Sequence, residues 1–265
     1  MITCRSSQEI AKIRTSAQLA AATLQYIAPM IQPGISTAEL DRAAETYIRK
    51  HGGLPAFKGY RGFPATLCTS INDEVVHGIP SKQCKLAEGD IIGIDCGAIV
   101  DGYYGDHAIT FAVGSIREEV QHLIDTTSDA LYAGIAQAKI GNYLSDISHA
   151  IQVVAEQRCY SVVKVFVGHG IGTALHEEPQ VPNFGPPRRG PRLRAGMVLA
   201  LEPMVNVGSA DVRILQDNWT VVTVDGRLSA HFEHTITVAE YGGIILSQLG
   251  LATIRKLWKK KKLSL

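Results

Sequence analysis

The sequence predicts an α+β protein made of two similar halves, each a pair of helices followed by a β-hairpin. Three observations carry this. An apolar helical stripe opens the chain, helix-start signals recur ahead of later segments, and apolar β-type runs follow each helix pair. The same order therefore appears twice within 265 residues. In the first half, Ile10, Ile13, Ala17, Ala20, Leu24, Ile27 and Ile31 alternate at spacings of three and four, and Pro33-Gly34 ends the stripe. Ser36 and Glu39 form a capping box that opens a second helix, which runs to about His51 and stops at Gly52-Gly53. A β-rich stretch follows from about Ala65 to Val113. It contains strands at Ile91–Asp95 and Ile109–Val113, with an Asp101-Gly102 turn signal between them.

The second half repeats this. Ser115 and Glu118 read as another capping box, for a helix to about Ala138. Gly141 breaks it, and a shorter helix covers Ser145 to Arg158. Strands return at Ser161–Val167, Met197–Glu202, Trp219–Val224 and His234–Ala239, with Asp225-Gly226 as the matching turn. No Pro/Ser-rich linker separates the halves, so one sheet and one core are expected to span both. The halves are 1–114 and 115–250 of a single domain, and 251–265 form a tail.

Composition narrows the class. At 46% hydrophobic and 19% charged, the chain has enough apolar material for a core and is neither disordered nor fibrous. Its 26 Lys+Arg against 25 Asp+Glu argue against a general nucleic-acid-binding surface, and no DNA partner is expected. That balance hides an asymmetry. The tail holds Arg255, Lys256 and Lys259 to Lys262 with no acid, which leaves residues 1–250 at −5. The first residues, with Glu9 among them, lack the apolar core of a secretory signal, and no run approaches the ~18 apolar residues of a membrane span. Five scattered cysteines without a C-x-x-C exclude a simple disulfide framework and a cysteine-rich zinc module. A cytoplasmic protein is expected.

Acidic residues inside apolar strands are the anomaly. Asp95 sits in Ile-Ile-Gly-Ile-Asp-Cys-Gly and Glu202 in Val-Leu-Ala-Leu-Glu-Pro-Met-Val. Glu233 precedes His234-Thr-Ile-Thr-Val, and Asp106 closes Gly-Tyr-Tyr-Gly-Asp. Any one of them reads ordinarily as a strand-end carboxylate that reaches solvent. Four, two in each half, point to a shared cation site, because an ionised carboxylate in apolar surroundings is costly unless paired or metal-bound. Gly168-His169-Gly170 adds an imidazole in a loop whose glycines would let the backbone approach a ligand, and His176 follows seven residues later. Four carboxylates and an imidazole suit two divalent cations roughly 3.5–4 Å apart, with Mn, Fe, Co or Zn favoured.

These residues also carry a family resemblance. The motifs are Ser70 to Pro80 with His77-Gly78-Ile79-Pro80, the Asp95 to Asp106 segment around Asp101-Gly102, and Gly168 to Gly172 with His176-Glu177-Glu178-Pro179. Leu201-Glu202-Pro203-Met204 and Phe232-Glu233-His234-Thr235 complete the set. In this order they resemble the type I methionine aminopeptidases, metallopeptidases of the pita-bread fold, over about residues 5 to 245.

The resemblance implies a role for each matching residue. Asp95 would chelate one metal, Asp106 and Glu233 would bridge two, and His169 and Glu202 would hold the second. Glu202 would also move a proton. His77 and His176 would face the substrate, His176 toward the developing oxyanion. Tyr60, Phe63, Cys68, Leu175 and Trp219 would line a methionine pocket, where aromatic edges and soft sulfur suit a thioether. Leu175 stands where the family often has Phe, His107 where a small hydroxyl residue is common, and Cys96 where Val is frequent. The implied activity is removal of the initiator methionine from nascent chains when the second residue is small, by a monomer. A proline-directed peptidase of the same fold is the alternative, disfavoured by the His-Gly-Ile-Pro segment, the short amino-terminal region and the Tyr60, Phe63 and Trp219 set. A non-catalytic binding module of that fold would be expected to have lost ligands. The basic tail, with a helical stripe at Leu249, Leu251, Ile254, Leu257 and Trp258, reads either as a solvated terminus or as a segment that docks on ribosomal RNA, with an anionic membrane surface as the lesser alternative.

Overall fold

Helix α1, Ser7–Ile27, buries Ile13, Ala17, Ala20, Leu24 and Ile27 on one face, as the spacing predicts. This computed structural model describes residues 1–248, so the readings on the tail lie outside the described residues. The start of α1 is fixed by a capping box that the apolar pattern does not announce. Glu9 N–H donates to the Ser6 side chain, and Ser6 N–H donates to the Glu9 carboxylate. Ile31 lies past the helix, after a 3-10 stretch at Ala28–Met30. Helix α2, Thr37–Lys50, starts at the expected Ser36–Glu39 box and carries Arg49 and Lys50 in its last turn, where the helix dipole favours cations.

The second helix pair begins differently from the sequence reading. Helix α3 is Glu118–Gln137, and Arg117 precedes it with no side-chain cap. Ser115 is not the cap, because it lies two residues farther out, where its N–H donates to Glu88 Oε1 at 2.6 Å. Glu118 and Glu119 supply negative charge to the first turn instead. Helix α4, Leu144–Gln157, starts just before Ser145, and Asp146 accepts from Tyr143 N–H at 2.8 Å.

Among the described residues, nine strands form one antiparallel sheet. They are β1 Leu54–Pro55, β2 Leu67–Ile71, β3 Ile91–Val100, β4 Tyr103–Ala112, β5 Gly168–Gly170, β6 Glu177–Val181, β7 Val198–Leu201, β8 Glu233–Thr237 and β9 Ile244–Ile245. The order is β1-β3-β4-β8-β7-β5-β6, with β2 also on β3 and β9 also on β8. The halves therefore share one sheet, joined where β4 meets β8 with Glu233 opposite Ala108. Strands β3 and β4 pair from Ile91↔Ala112 to Val100↔Tyr103, so the loop is the two residues Asp101-Gly102. Their φ values of 49° and 77° are the positive pair that this tight, twist-matched hairpin turn requires.

The second half departs from a simple hairpin. Asp225-Gly226 turns the chain, but the strands flanking it do not pair with each other. Val221–Thr223 pairs with Val212–Ile214 and Glu74–Val76, whereas Ser229–His231 pairs with Met204–Asn206. The partners of β8 are β7, β4 and β9. Residues between β7 and β8 thus leave the sheet to build two small three-stranded sheets, one of which takes up Ser161–Val162. The strand expected over 161–167 stops at Val162 and resumes as β5.

Alternation on the main sheet explains the acidic strands. Ile92, Ile94, Cys96 and Ala98 point into the core under α1 and α2, and Leu199, Leu201 and Ile236 into the core with α3 and α4. The intervening residues face the opposite side of the sheet. Asp95 is directly opposite Ala108, Ala108 is opposite Glu233, and Asp106 lies two residues from Ala108 on the same face. Ala200, opposite His169, shares that face with Glu202 two residues on. Register alone gathers five side chains from five segments. Among the described residues, no helix is long and apolar enough to cross a membrane.

Candidate metal centre

Asp106, His169 and Glu233 are buried, Asp95 and Glu202 half-buried, and the group is electrically unbalanced. Donor atoms of Asp106, His169 and Glu233 all lie within 4.8 Å of one another. Glu202 joins them with Oε1 3.4 Å from His169 Nε2, and Asp95 lies close enough to feel the charge of Asp106. Burial raises the carboxyls of Asp95, Glu202 and Glu233 well above the usual carboxylate range, and the negative charge of Asp106 adds to this in each. Asp106 itself is pushed up to about 6, by burial. His169 is pulled down to about 3, mainly by burial, so its imidazole is neutral and free to ligate. Among the described residues, no lysine or arginine pairs with these four carboxylates.

Such a cluster fits cations. Asp95 Oδ1 and Glu233 Oε1 are buried with no hydrogen-bond partner, an arrangement that costs about 1–3 kcal/mol per group, and more for a charged one. A divalent ion would satisfy both and restore charge balance. The oxygen-rich donor set with one imidazole matches Mn, Fe, Co or Zn better than a structural thiolate site.

The neighbouring backbone holds the donors in place. Asp106 N–H donates to Thr235 Oγ1 at 2.9 Å, and that hydroxyl donates to Asp106 O at 2.8 Å. The glycines around His169 serve the sheet rather than a ligand, contrary to the loop reading. A Cβ on Gly168 would stand 2.4 Å from Ala200 O, and one on Gly170 would stand 2.3 Å from Glu178 O. His107 and His234, opposite each other in β4 and β8, project to the other face. Their rings stack with centroids 4.7 Å apart, and His107 Nδ1 meets Glu233 O.

His231 is the residue the sequence reading passed over. It is buried, and its Nε2 stands 3.8 Å from Glu202 Oε2, so Glu202 lies between two imidazoles. The signal was its place two residues before Glu233, but a lone histidine there reads equally as core.

Apolar residues adjoin the cluster. Phe63, Cys68 and Leu175 are buried in one group, and Tyr60 and Trp219 pack against it. Cys68 in β2 is directly opposite Asp95 in β3, so the group begins where the carboxylates end. The Trp219 and Phe63 rings meet edge-on at 5.1 Å. All five residues expected to line a side-chain pocket are therefore together.

His176 and His77 flank this boundary. The His176 ring lies 4.3 Å from that of His169, and Nδ1 is hydrogen-bonded to the Tyr60 hydroxyl at 2.9 Å. With the hydroxyl as donor, Nε2 carries the imidazole proton. His77, at φ 62°, sets its ring edge-on to Phe166 at 5.5 Å and Trp219 at 6.2 Å. Burial takes both imidazoles down to about 4, with Arg61 adding to this at His176 and His176 at His77, so both are neutral at pH 7.

An antiparallel sheet that presents four carboxylates and an imidazole on one face, beside an apolar cluster, defines a pita-bread metallopeptidase. The comparisons agree: metallopeptidase family M24 matches residues 11–240, and the chain belongs to that family. It is similar to methionine aminopeptidase 1 of Bacillus subtilis, with 51% identity over 94% of this chain and 100% of that protein. It is equally similar to the methionine aminopeptidase of Clostridium acetobutylicum, with 51% identity over 93% and 99% of the two chains. The solved methionine aminopeptidase from Rickettsia prowazekii superposes with a TM-score of 0.92 at 40% identity, over 94% of this chain and 100% of that one. A prolidase from Pyrococcus horikoshii shares the fold at a TM-score of 0.76 but only 21% identity, over 94% of this chain and 65% of that one.

Proposed function

We propose that this chain hydrolyses the first peptide bond of peptides and nascent proteins and releases their amino-terminal methionine, with a preference for a small second residue. The observation that carries this reading is the junction of the carboxylate–imidazole cluster with an apolar, sulfur-containing side-chain group at Cys68 and Asp95. A methionine side chain in the pocket would place its own carbonyl over the cluster. Proline-directed relatives share only the fold at this level of identity.

Two divalent cations (Mn, Fe, Co or Zn) would be held by Asp95, Asp106, His169, Glu202 and Glu233, with Asp106 and Glu233 common to both. Bound there, they supply Lewis acidity and lower the pKa of water. The remaining work belongs to the chain. Glu202, whose carboxyl is raised by burial, takes and returns a proton at its carboxylate oxygens. His176 Nε2–H donates to the scissile carbonyl oxygen as charge grows on it. His77 contacts the amide being cut. Tyr60, Phe63, Cys68, Leu175 and Trp219 hold the thioether and exclude water.

Residues 1–250 act as one domain in this reading, and the protein works as a cytoplasmic monomer. The tail over 251–265 docks on ribosomal RNA. Cutting the chain after Gly250 leaves tripeptide hydrolysis unchanged and flattens the salt dependence of ribosome binding, whose slope six cations cap near ~5. Equal ribosome binding with and without the tail would remove it from the account.

The test of the activity is direct. Metal-stripped protein is given each divalent metal in turn with Met-Ala-Ser and with Ala-Pro-Ala. Methionine release is expected; release of alanine from Ala-Pro-Ala without methionine release would favour the proline-directed reading.

A further inference from the structure

The residues before α1 form a strap that reaches the site without touching the metal cluster. Arg5 N–H donates to Gly196 O at 2.7 Å, ahead of β7. Its guanidinium turns the other way, into the loop that joins β5 to β6. Arg5 Nη2 lies 2.6 Å and 2.7 Å from the two carboxylate oxygens of Glu177 and 3.3 Å from Thr173 Oγ1, while Nη1 lies 3.3 Å from Glu9 Oε1. The pair is largely enclosed, with side-chain exposures of 9% for Arg5 and 17% for Glu177.

Glu177 in turn shapes the loop. Its Oε1 accepts from Thr173 N–H at 2.8 Å and Ala174 N–H at 3.0 Å. The carboxylate thus pins both ends of a tight turn through Leu175 and His176. Gly172 completes the fit, because a Cβ there would stand 2.5 Å from Arg5 Nη2. The guanidinium therefore lies against bare backbone. What the Arg5–Glu177 contact holds is the loop that puts Leu175 into the apolar group and the His176 ring beside His169, while Nη1 ties the same guanidinium to Glu9 at the start of α1.

We infer that Arg5 is a positioning residue for His176: through Glu177, the amino-terminal strap fixes the loop so that the imidazole is aimed before substrate arrives. This rests on the reading of His176 as the oxyanion donor. A donor useful only in the transition state loses rate when it drifts, since a misplacement of 1 Å costs up to ~100-fold. Arg5→Ala is expected to lower kcat on Met-Ala-Ser about 10-fold, with KM and metal content held within about twofold, and Arg5→Lys to keep most of the rate because the charge contact survives.

The deciding measurement is a double-mutant cycle on the metal-loaded enzyme. His176→Ala alone should lower kcat by about 100- to 1,000-fold. Adding Arg5→Ala to it should then cost nothing more. A further 10-fold loss in the His176→Ala background overturns the inference and leaves the reading of His176 standing, as does normal kcat in Arg5→Ala alone. Normal kcat in His176→Ala overturns the oxyanion reading, and the inference with it. Should Arg5→Ala fail to fold, Glu177→Gln runs the same cycle, because the amide oxygen still accepts from the loop while the charge contact is gone.

Discussion

His231 Nε2 stands 3.8 Å from Glu202 Oε2 and has no hydrogen-bond partner, while the other Glu202 oxygen meets His169. Burial, with His77 and His107 adding to it, pulls the His231 imidazole down to about 3, so it faces Glu202 as a neutral ring. Its backbone is fixed in both directions through Thr110 Oγ1, which donates to His231 O and accepts from His231 N–H, each at 2.9 Å. The ring is thus aimed at one oxygen of a carboxylate proposed both to ligate and to carry a proton.

His231→Leu should therefore cost roughly 10–100-fold in metal affinity or turnover, the usual effect of removing a group that orients a ligand. His231→Gln keeps a donor in that place and should lose much less. Isothermal titration with Mn or Co and steady-state rates on Met-Ala-Ser check both. Equal rates for the leucine variant and the parent would leave Glu202 oriented by His169 alone.

Asp106 is central to the cluster, because its charge acts on Asp95 and its carboxylate lies within 4.8 Å of donor atoms of both His169 and Glu233. With Asp106 proposed as a ligand common to both ions, Asp106→Asn should remove most activity and weaken binding of at least one ion. Elemental analysis after dialysis and a tripeptide assay give the answer. Two tightly held ions with near-normal turnover would end the bridging assignment.

Metal binding should release protons. Asp106 is raised to about 6, and Asp95, Glu202 and Glu233 well above their ordinary range. A raised carboxyl keeps its proton to higher pH, and a cation needs the ionised form, so protons leave as it enters. Affinity should therefore rise as pH rises through about 6, where Asp106 loses its proton, and go on rising above it as the other three ionise, with His169 neutral throughout because it is held near 3. Titration calorimetry at pH 6 in buffers of different ionisation enthalpy should show net proton release on metal binding. A count of zero would mean that the carboxylates are already ionised in the metal-free protein.

The sequence made these carboxylates visible because chemistry and alternation disagreed there. Ile92, Ile94 and Cys96 demand burial on one face, and Asp95 on the other face has no local reason to be acidic. The Asp101-Gly102 turn and the Ser36–Glu39 cap were legible because both are settled by neighbours in the chain. Ser115 had the right spacing and still failed as a cap, since Glu88 captured its N–H from another segment. His231 and the Arg5–Glu177 pair depend on contacts between distant segments, 172 residues apart for the pair, and no local pattern marks either. The two small sheets between β7 and β8 were missed for a similar reason. Their strands pair with Glu74–Val76 and Ser161–Val162 rather than with the neighbours that a turn signal suggests.

Two glycines on the paired strands β3 and β4 should respond oppositely to a methyl group. Gly105 in β4 lies where α1 crosses the hairpin, which Ser16 stitches down by donating to Tyr103 O at 2.8 Å and accepting from Val100 N–H at 3.2 Å. A Cβ on Gly105 would stand 2.1 Å from Ala17 N and 2.4 Å from Ala17 Cα, against helix backbone that cannot rotate away. The helix would have to lift, and with it Ile13, Ala17 and Leu24 from the core. Overpacking usually costs about 1–3 kcal/mol, and a backbone clash belongs at or above the upper end, so Gly105→Ala should destabilise by about 3 kcal/mol or more. It should also weaken metal binding, because Asp106 is the next residue. Gly93 in β3 is the control: a Cβ there meets nothing closer than Thr110 Oγ1 at 3.6 Å, and its φ is not in the left-handed region. Gly93→Ala should be neutral or stabilise by roughly 0.4–1 kcal/mol through the unfolded chain. Urea unfolding of the metal-free proteins, followed by metal titration, compares them. Similar midpoints for Gly105→Ala and Gly93→Ala would mean that α1 yields to the methyl group and that its close approach does not hold the hairpin in place.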